Sequence, residues 1–381
     1  MKFAFQSLLF RLLFLLIVCP PSGFAFGQAQ SGADTSSDDS IHSWTATTQQ
    51  QLPNNLNPTR TSETHTQTGG RTSDNQSIQT MGTDGHYSPY LDVQKETVKV
   101  DANTVRTIER SFGRDADGRK TLVQVTEEEK RSLPGGEVKV TRSTSDPDGN
   151  GALKLVQREV QDVRQISPTV QETKSTLLTP SLNGGLTASM QTTERETKTS
   201  DHNVEFRKST LLPDSNGNWQ LNEVREGTIK DDGKNRTKEE SVLRPGTDGN
   251  LSVVARTVSR ESQNAAGEKR ATVETYASDP GSGMDGLRLE QRVVTVHRQG
   301  DDGMQSTDQQ VEQRNPGQPN DGLRVTEQAI DIVRPGTGGT TRETQTVRSL
   351  DSNGDLGVVS VDTRRQESAP AVQVDIAPTK K

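Results

Sequence analysis

Short alternations of apolar and polar residues recur along the chain between about residues 93 and 367. Each alternation follows an Asp-Gly or Asn-Gly pair and begins with Leu, with a second apolar residue two positions on, as in Leu153-Lys154-Leu155 and Leu251-Ser252-Val253. Successive side chains of a β-strand point to opposite faces, so this spacing predicts half-buried strands. The segments that return toward the next Asx-Gly pair are rich in Thr, Val and Ser, which also favour strands.

The Asx-Gly pairs themselves recur at a nearly fixed interval. They lie between Gly118 and Gly354 at a spacing of about 34 residues, and looser breaks such as Pro134-Gly135-Gly136 lie midway between them. Asx-Gly is a strong signal for a tight hairpin turn. The sequence therefore predicts an all-β fold of tandem β-hairpin repeats of ~34 residues, which form an extended antiparallel meander sheet, open or solenoid-like.

A helical interpretation of the first arm of each repeat competes with the strand. Leu153, Val156, Val160 and Val163 also fit the spacing of an amphipathic helix. The strand interpretation accommodates the same residues if a β-bulge follows the second apolar position and reverses the alternation.

Composition divides the chain into segments. Residues 1–25 combine basic residues, a short apolar run and small residues, and they predict a cleavable signal peptide. Residues 26–92 are rich in Ser, Thr, Gln and Asn, which predicts a disordered leader. Residues 93–367 hold about eight hairpin repeats, and residues 368–381 are expected to form a flexible tail.

The overall composition limits the kind of core that can form. The chain is 28% hydrophobic and 3% aromatic, its net charge is −7, and its one cysteine, Cys19, lies in the predicted signal peptide; its mean hydropathy is −0.82. A deep apolar core and a disulfide scaffold are therefore excluded. Charges of both signs are interspersed, so nothing directs the chain toward nucleic acid.

The acidic turns are the candidate metal sites. Calcium loops place oxygen ligands at alternate positions around a glycine, and two of the turns partly follow that arrangement. The candidate ligands are Asp146, Asp148 and Asn150 in one turn, and Asp351, Asn353, Asp355 and the later Asp362 in another. Because Asx-Gly suits a hairpin turn in any case, ordinary turn chemistry is the alternative. No other cofactor is predicted, and no catalytic motif occurs.

These features predict a secreted, periplasmic or cell-surface protein with a structural, scaffold or adhesive interaction role and no catalysis. The expected partners are a surface protein or polysaccharide, with self-association also open, no nucleic acid and no membrane span in the mature chain. Two alternatives remain: a calcium-dependent binding module, and an outer-membrane β-barrel, which requires an outward apolar band.

Overall fold

The computed structural model describes residues 42–52, 58–181, 183–278, 286–315, 317–318, 321–351 and 353–368. The predicted signal peptide and nearly all of the predicted tail lie outside these ranges. The described residues form twenty β-strands and a single-turn 3-10 helix (Thr337–Gly339). No helix within the described ranges is long and apolar enough to cross a membrane.

The strands are β1 (His42–Gln51), β2 (Thr59–Thr68), β3 (Arg71–Met81), β4 (Tyr87–Lys99), β5 (Thr104–Arg114), β6 (Lys120–Ser132), β7 (Val138–Pro147), β8 (Leu153–Ser167), β9 (Val170–Pro180), β10 (Leu186–Ser200), β11 (Asn203–Pro213), β12 (Trp219–Asp231), β13 (Asn235–Pro245), β14 (Leu251–Gln263), β15 (Lys269–Ser278), β16 (Leu287–Gln299), β17 (Gln305–Gln313), β18 (Arg324–Pro335), β19 (Thr340–Leu350) and β20 (Leu356–Ser368).

Every strand pairs antiparallel with the next strand in sequence, and the last strand pairs with the first. In that closing pair Trp44 of β1 lies opposite Ser368 of β20, and Gln51 lies opposite Val361. The predicted all-β antiparallel meander is confirmed, but the prediction of an open or solenoid-like sheet was wrong. The sheet closes into a 20-stranded barrel, and closure leaves no unpaired edge.

The predicted disordered leader differs from the structure over most of its length. Strands β1 to β3 and the first part of β4 lie within residues 26–92. These strands carry few apolar side chains, but their Thr residues favour extended backbone, and each strand has hydrogen-bonding partners on both sides. Pairing within the closed sheet thus orders a sequence that apolar burial alone would leave unfolded.

A β-bulge lies near the start of most even-numbered strands. In β8, Leu155 pairs with Ser145 and Gln157 pairs with Thr144, so Val156 is the extra residue. Equivalent register shifts occur in β4, β6, β10, β12, β14, β16, β18 and β20. The bulge reverses the alternation after the second apolar residue, so the helical interpretation of these arms was wrong.

The connections from odd to even strands are mostly tight turns that contain a glycine with positive φ. In the turn Asp214–Asn218, the Gly217 amide donates to the Asp214 carbonyl at 3.0 Å, and the Asp214 amide donates to the Asn218 carbonyl at 2.8 Å. Gly217 has a φ of +82°. This is a three-residue hairpin loop, a type I turn followed by a left-handed residue. All of these turns lie at one end of the barrel, which we call the tight-turn end.

We expect Gly217→Ala to destabilise the barrel by roughly 1 kcal/mol, because a Cβ atom disfavours the left-handed backbone. The measurement is the midpoint of thermal unfolding followed by circular dichroism. Gly149→Ala is the matched control, since Gly149 also lies in a tight turn, lacks a positive φ and has open space where a Cβ atom would be added. Equal midpoints for both variants would contradict the assigned turn geometry.

Candidate functional site

The strand side chains divide into two sets that face opposite sides of the wall. In β1, Ala46 and Gln50 are buried, whereas Thr45, Thr47 and Gln49 are exposed. Side chains on the concave side of a barrel converge, so contacts that reach over an intervening strand lie on that side. Glu63 of β2 contacts Arg364 of β20 over β1 at 2.9 Å, on the face of Ala46 and Gln50. We therefore assign the face of Ala46 to the lumen and the face of Thr47 to the outer wall, and the cross-strand pairs extend this assignment around the barrel.

The lumen face is polar. Thr, Gln and Ser predominate on it, as in the cross-strand series Ser175, Thr192 and Thr210. Twenty strands, each about 4.8 Å from the next and tilted by about 40°, enclose a space roughly 40 Å across between opposite backbones. Side chains reach only part of the way into such a space, so the lumen is wide enough to hold water.

Some of the charged residues on the lumen face are arranged in ion-paired groups. Glu223 contacts Arg225 at 2.7 Å and Arg244 at 3.1 Å, and Arg225 also contacts Glu240 at 3.3 Å. Lys238 contacts the same Glu240 at 2.9 Å. Because each charge in this group has a neighbour of opposite sign, the group adds little net charge to the lumen.

A second lumen-facing group lies where the barrel closes. Trp44 of β1 stacks on His65 of β2, with ring centroids 5.4 Å apart, and the guanidinium of Arg364 in β20 lies 5.6 Å from the Trp44 ring. Arg364 also pairs with Glu63 of β2 at 2.9 Å. The Arg364–Glu63 pair reaches over β1 and joins β20 to β2 directly. His65 contacts Asp74 at 2.6 Å, and a cavity of about 340 Å³ lies beside the group.

No pattern in the sequence indicates this group. Trp44, His65 and Glu63 lie in the segment that composition assigns to a disordered leader, and Arg364 is 301 residues away from Glu63. Only barrel closure brings the two ends of the sheet together.

The outer wall carries a narrow band of apolar residues beside the tight turns, which we call the outer belt. Its members occupy the two outward positions of each strand that lie nearest the tight turn. They are the cross-strand pairs Phe112–Leu122, Pro147–Leu153, Leu178–Ala188, Pro180–Leu186, Leu211–Leu221, Pro213–Trp219, Leu243–Val253, Pro245–Leu251, Tyr276–Leu289 and Leu350–Leu356. Leu153 is 53% exposed and Val253 is 41% exposed, so the belt is accessible from outside. Two outward positions along a strand, together with their side chains, give the belt a height of about 10 Å.

The outer wall beyond the belt is charged. Glu274 contacts Arg260 at 2.9 Å and Arg292 at 3.1 Å, and it accepts a hydrogen bond from the Tyr276 hydroxyl at 3.2 Å. Arg292 also contacts Glu312 at 3.3 Å. Membrane barrels have an outward apolar band about 25 Å tall. The outer belt therefore covers less than half of that height.

The predicted calcium ligands are placed separately by the structure. The Asp148 Oδ1 atom accepts hydrogen bonds from the amides of Asn150 at 2.8 Å and Ala152 at 3.0 Å. Asp146 lies in β7, where it accepts a hydrogen bond from the Gln124 side chain at 3.1 Å. These carboxylates thus interact with the turn backbone and with a neighbouring strand.

The second predicted calcium turn has the same arrangement. The Asp351 Oδ1 atom accepts from the amides of Asn353 at 2.8 Å and Asp355 at 3.0 Å. Asp362 lies opposite Gln50 and Gln345 in β20, roughly 20 Å along the strand from the turn. The described residues contain no group of three or more His, Cys, Asp or Glu side chains that could hold a metal ion. Calcium binding at the turns stays a prediction.

Hydrogen bonds from the turn backbone act on the acidity of these aspartates. The amide of Asp355, followed by that of Asn353, lowers the pKa of Asp351 below its ordinary value. The amide of Asn218 has the largest effect on Asp214, whose pKa is likewise lowered. Both carboxylates stabilise their turns in the ionised form.

Comparison with known proteins finds other barrels of similar architecture. No family model and no curated protein matches the chain. The solved structures similar to it include OccK3 (OpdO) of Pseudomonas aeruginosa (10% identity, TM-score 0.44, covering 87% of this chain and 96% of that one). The siderophore receptor PirA of the same organism has 10% identity and a TM-score of 0.47, with coverage of 87% and 80%.

A BenF-like porin from Pseudomonas fluorescens Pf-5 is also similar, with 8% identity, a TM-score of 0.43, and coverage of 87% of this chain and 98% of the porin. At these identities the likeness concerns barrel architecture alone.

Two predictions about function were wrong. A structural, scaffold or adhesive repeat array was expected, as was a mature chain without a membrane span. The sheet instead closes on itself through the β1–β20 pairing and forms a 20-stranded barrel rather than an extended repeat array. The physical reason for the error is that a membrane barrel was expected to show a continuous outward apolar band with aromatic girdles. Beyond the belt, the outward apolar residues here, such as Val224 and Val258, are interspersed with charged ones such as Glu274. Of the alternatives drawn from the sequence, the β-barrel is the one that includes a closed sheet.

We expect the turn aspartates to give an acid-sensitive contribution to stability. A carboxyl group whose pKa is lowered in the folded state stabilises fully above the unfolded value of about 3.9, and the contribution is lost as pH falls through the lowered pKa. The Asp214→Asn/Asp351→Asn variant should therefore unfold at a lower temperature than the wild type at pH 7, and the difference should shrink below about pH 4. Thermal melts over this pH range measure the effect.

Asp117→Asn is the control for that experiment, because the Asp117 side chain accepts no hydrogen bond among the described residues although it lies in an equivalent turn. In that turn the Asp115 side chain accepts the backbone hydrogen bonds instead. A wild-type advantage that stays constant down to the lowest pH would contradict the role of the ionised carboxylates.

Replacement of Glu63 should weaken barrel closure. Glu63→Ala removes the closer of the two carboxylates that Arg364 contacts, since Glu343 lies at 3.7 Å. The Glu63 and Arg364 side chains are only 26% and 31% exposed, so we expect a loss of about 1 kcal/mol. Glu367→Ala is the control, because its pair with Arg365 is 52% and 70% exposed, and exposed pairs contribute little. Denaturant unfolding of both variants provides the comparison, and an equal effect of the two would show that the Glu63 pair has no special role.

Proposed function

We propose that this protein is an outer-membrane barrel that forms a water-filled passage and carries out no catalysis. The single observation that carries the proposal is the pairing of β20 with β1, which closes twenty strands around a lumen. Barrels of sixteen to eighteen strands already leave an aqueous channel. A wall of twenty strands with a polar inner face supports passage of small hydrophilic solutes.

The chemistry of the lumen supports weak rather than strict selection among solutes. Hydroxyl and amide side chains dominate the inner face, and ion-paired groups such as that around Glu223 contribute little net charge. Such a lining exchanges hydrogen bonds with water easily, and charges of both signs on the inner face give little preference for one sign of ion. We infer a passage whose conductance depends mainly on its width.

A pair of cysteine variants tests the passage directly. Thr192 faces the lumen in the middle of β10, and its neighbour Thr193 faces outward. The chain has no cysteine beyond Cys19, so a mature protein that lacks the predicted signal peptide offers a thiol-free background. We expect the purified protein to give stepwise conductance in planar lipid bilayers, and a bulky thiol reagent to reduce the conductance of Thr192→Cys.

The same reagent should leave the conductance of Thr193→Cys unchanged, because an outward thiol does not narrow the passage. Absence of any conductance from folded protein would overturn the proposed function. Equal block of both variants would overturn the assignment of the two faces.

A further inference from the structure

In three well-separated strands, the basic side chains face outward and the acidic side chain faces the lumen. In β5 the charged outward residues are Arg106, Arg110 and Arg114, whereas the charged inward residue is Glu109. The alternation of this strand thus places basic side chains outside and an acidic side chain inside.

The same sorting appears in two strands far from β5. In β14 the charged outward residues are Arg256 and Arg260, and the inward one is Glu261. In β19 the outward residues are Arg342 and Arg348, and the inward one is Glu343. Arginine is therefore present on the outer wall in widely separated parts of the barrel.

Four of these arginines take no part in the ion pairs found among the described residues: Arg106, Arg110, Arg342 and Arg348. Two of the four border the outer belt. Arg110 is the next outward residue after Phe112, and Arg348 is the outward residue next to Leu350. A guanidinium beside an apolar surface can pack its methylene stem on that surface and direct its charge away from it. It then offers planar donors that suit phosphate oxygens.

From these features we propose that the outer wall binds anionic lipid, with the outer belt in contact with acyl chains and the adjoining arginines in contact with headgroup phosphates. This inference rests on the proposed function and names the lipid class that surrounds the barrel. The belt recurs at one height in every hairpin from β5 to β16 and again in β19–β20, so a continuous lipid phase can cover it, whereas a docked protein would cover one side. Membrane affinity of such surfaces grows with apolar area and with attraction to anionic headgroups.

The height of the belt adds a further condition. A belt of about 10 Å is shorter than the hydrocarbon thickness of an ordinary bilayer, and a short apolar surface is accommodated by local thinning and by basic side chains that reach toward the headgroups. Phosphates drawn toward Arg110 and Arg348 would stand close to the belt. Anionic headgroups therefore favour the thinned bilayer that a short apolar belt requires.

The first test is flotation of the folded wild-type protein with vesicles of phosphatidylcholine alone and with increasing fractions of phosphatidylglycerol. We expect binding to rise with the anionic fraction and to fall at high salt. Equal binding to neutral and anionic vesicles would overturn the proposal. Binding to soluble dextran sulfate without binding to anionic vesicles would also overturn it, because the partner would then be a polyanion in solution.

The second test replaces the unpaired outward arginines in the variant R106Q/R110Q/R342Q/R348Q. Each basic residue near an anionic surface adds appreciably to membrane affinity, so we expect binding to anionic vesicles to weaken at least about tenfold. Circular dichroism confirms that the variant is folded, and the wild-type lipid series remains decisive if it is not.

The matched control removes the same charge from the lumen face, in the variant K99Q/K130Q/R236Q/K269Q. Binding to anionic vesicles should change less than about twofold, because lumen charges lie behind the wall and away from the headgroups. A loss equal to that of the outward variant would overturn the proposal.

Conductance separates this inference from the proposed function. If channels open equally well in neutral bilayers, the proposed function stands and the lipid inference fails. If the protein binds anionic vesicles but gives no conductance, the lipid inference stands and the proposed function fails.

Discussion

The pairing of the first strand with the last is the constraint on which the rest of this structure depends. Few side chains are fully buried, and those with the lowest exposure, such as Val224 and Val258, are scattered rather than gathered into one core. Backbone hydrogen bonds between neighbouring strands therefore hold the wall together, and each strand requires a partner on both sides. Closure supplies the last two partners, and with them a lumen. The same polar residues in an open sheet would leave two unpaired edges.

Local features of this fold were predictable from the sequence, because local chemistry determines them. The Asx-Gly pairs mark tight turns, since glycine alone adopts the left-handed backbone freely. The switch of alternation after Leu155 predicts a bulge, and the structure has one at Val156. The alternation of β8 also separates its two faces correctly. These signals lie within about a dozen residues of one another.

Closure and the site at the seam were not predictable in this way. Whether a meander closes depends on twist and stagger accumulated over every strand, and no residue pair reports it. The contact of Glu63 with Arg364 exists only because of closure, and Trp44 and His65 belong to a polar segment that lacks apolar periodicity. The outer belt was visible in part as the repeated Leu-x-Leu pattern. Its outward direction became clear only when cross-strand pairs placed it on the face opposite Ala46 and Gln50.

The direction of the strands also gives the barrel a polarity. The first strand begins, and the last strand ends, at the rim opposite the tight turns. The chain thus enters and leaves the wall on the same side, and the outer belt lies near the other end. In a membrane that contacts the belt, a peptide joined to the barrel near His42 and one joined near Ser368 would emerge in the same compartment, and the glycine turns would mark the opposite one.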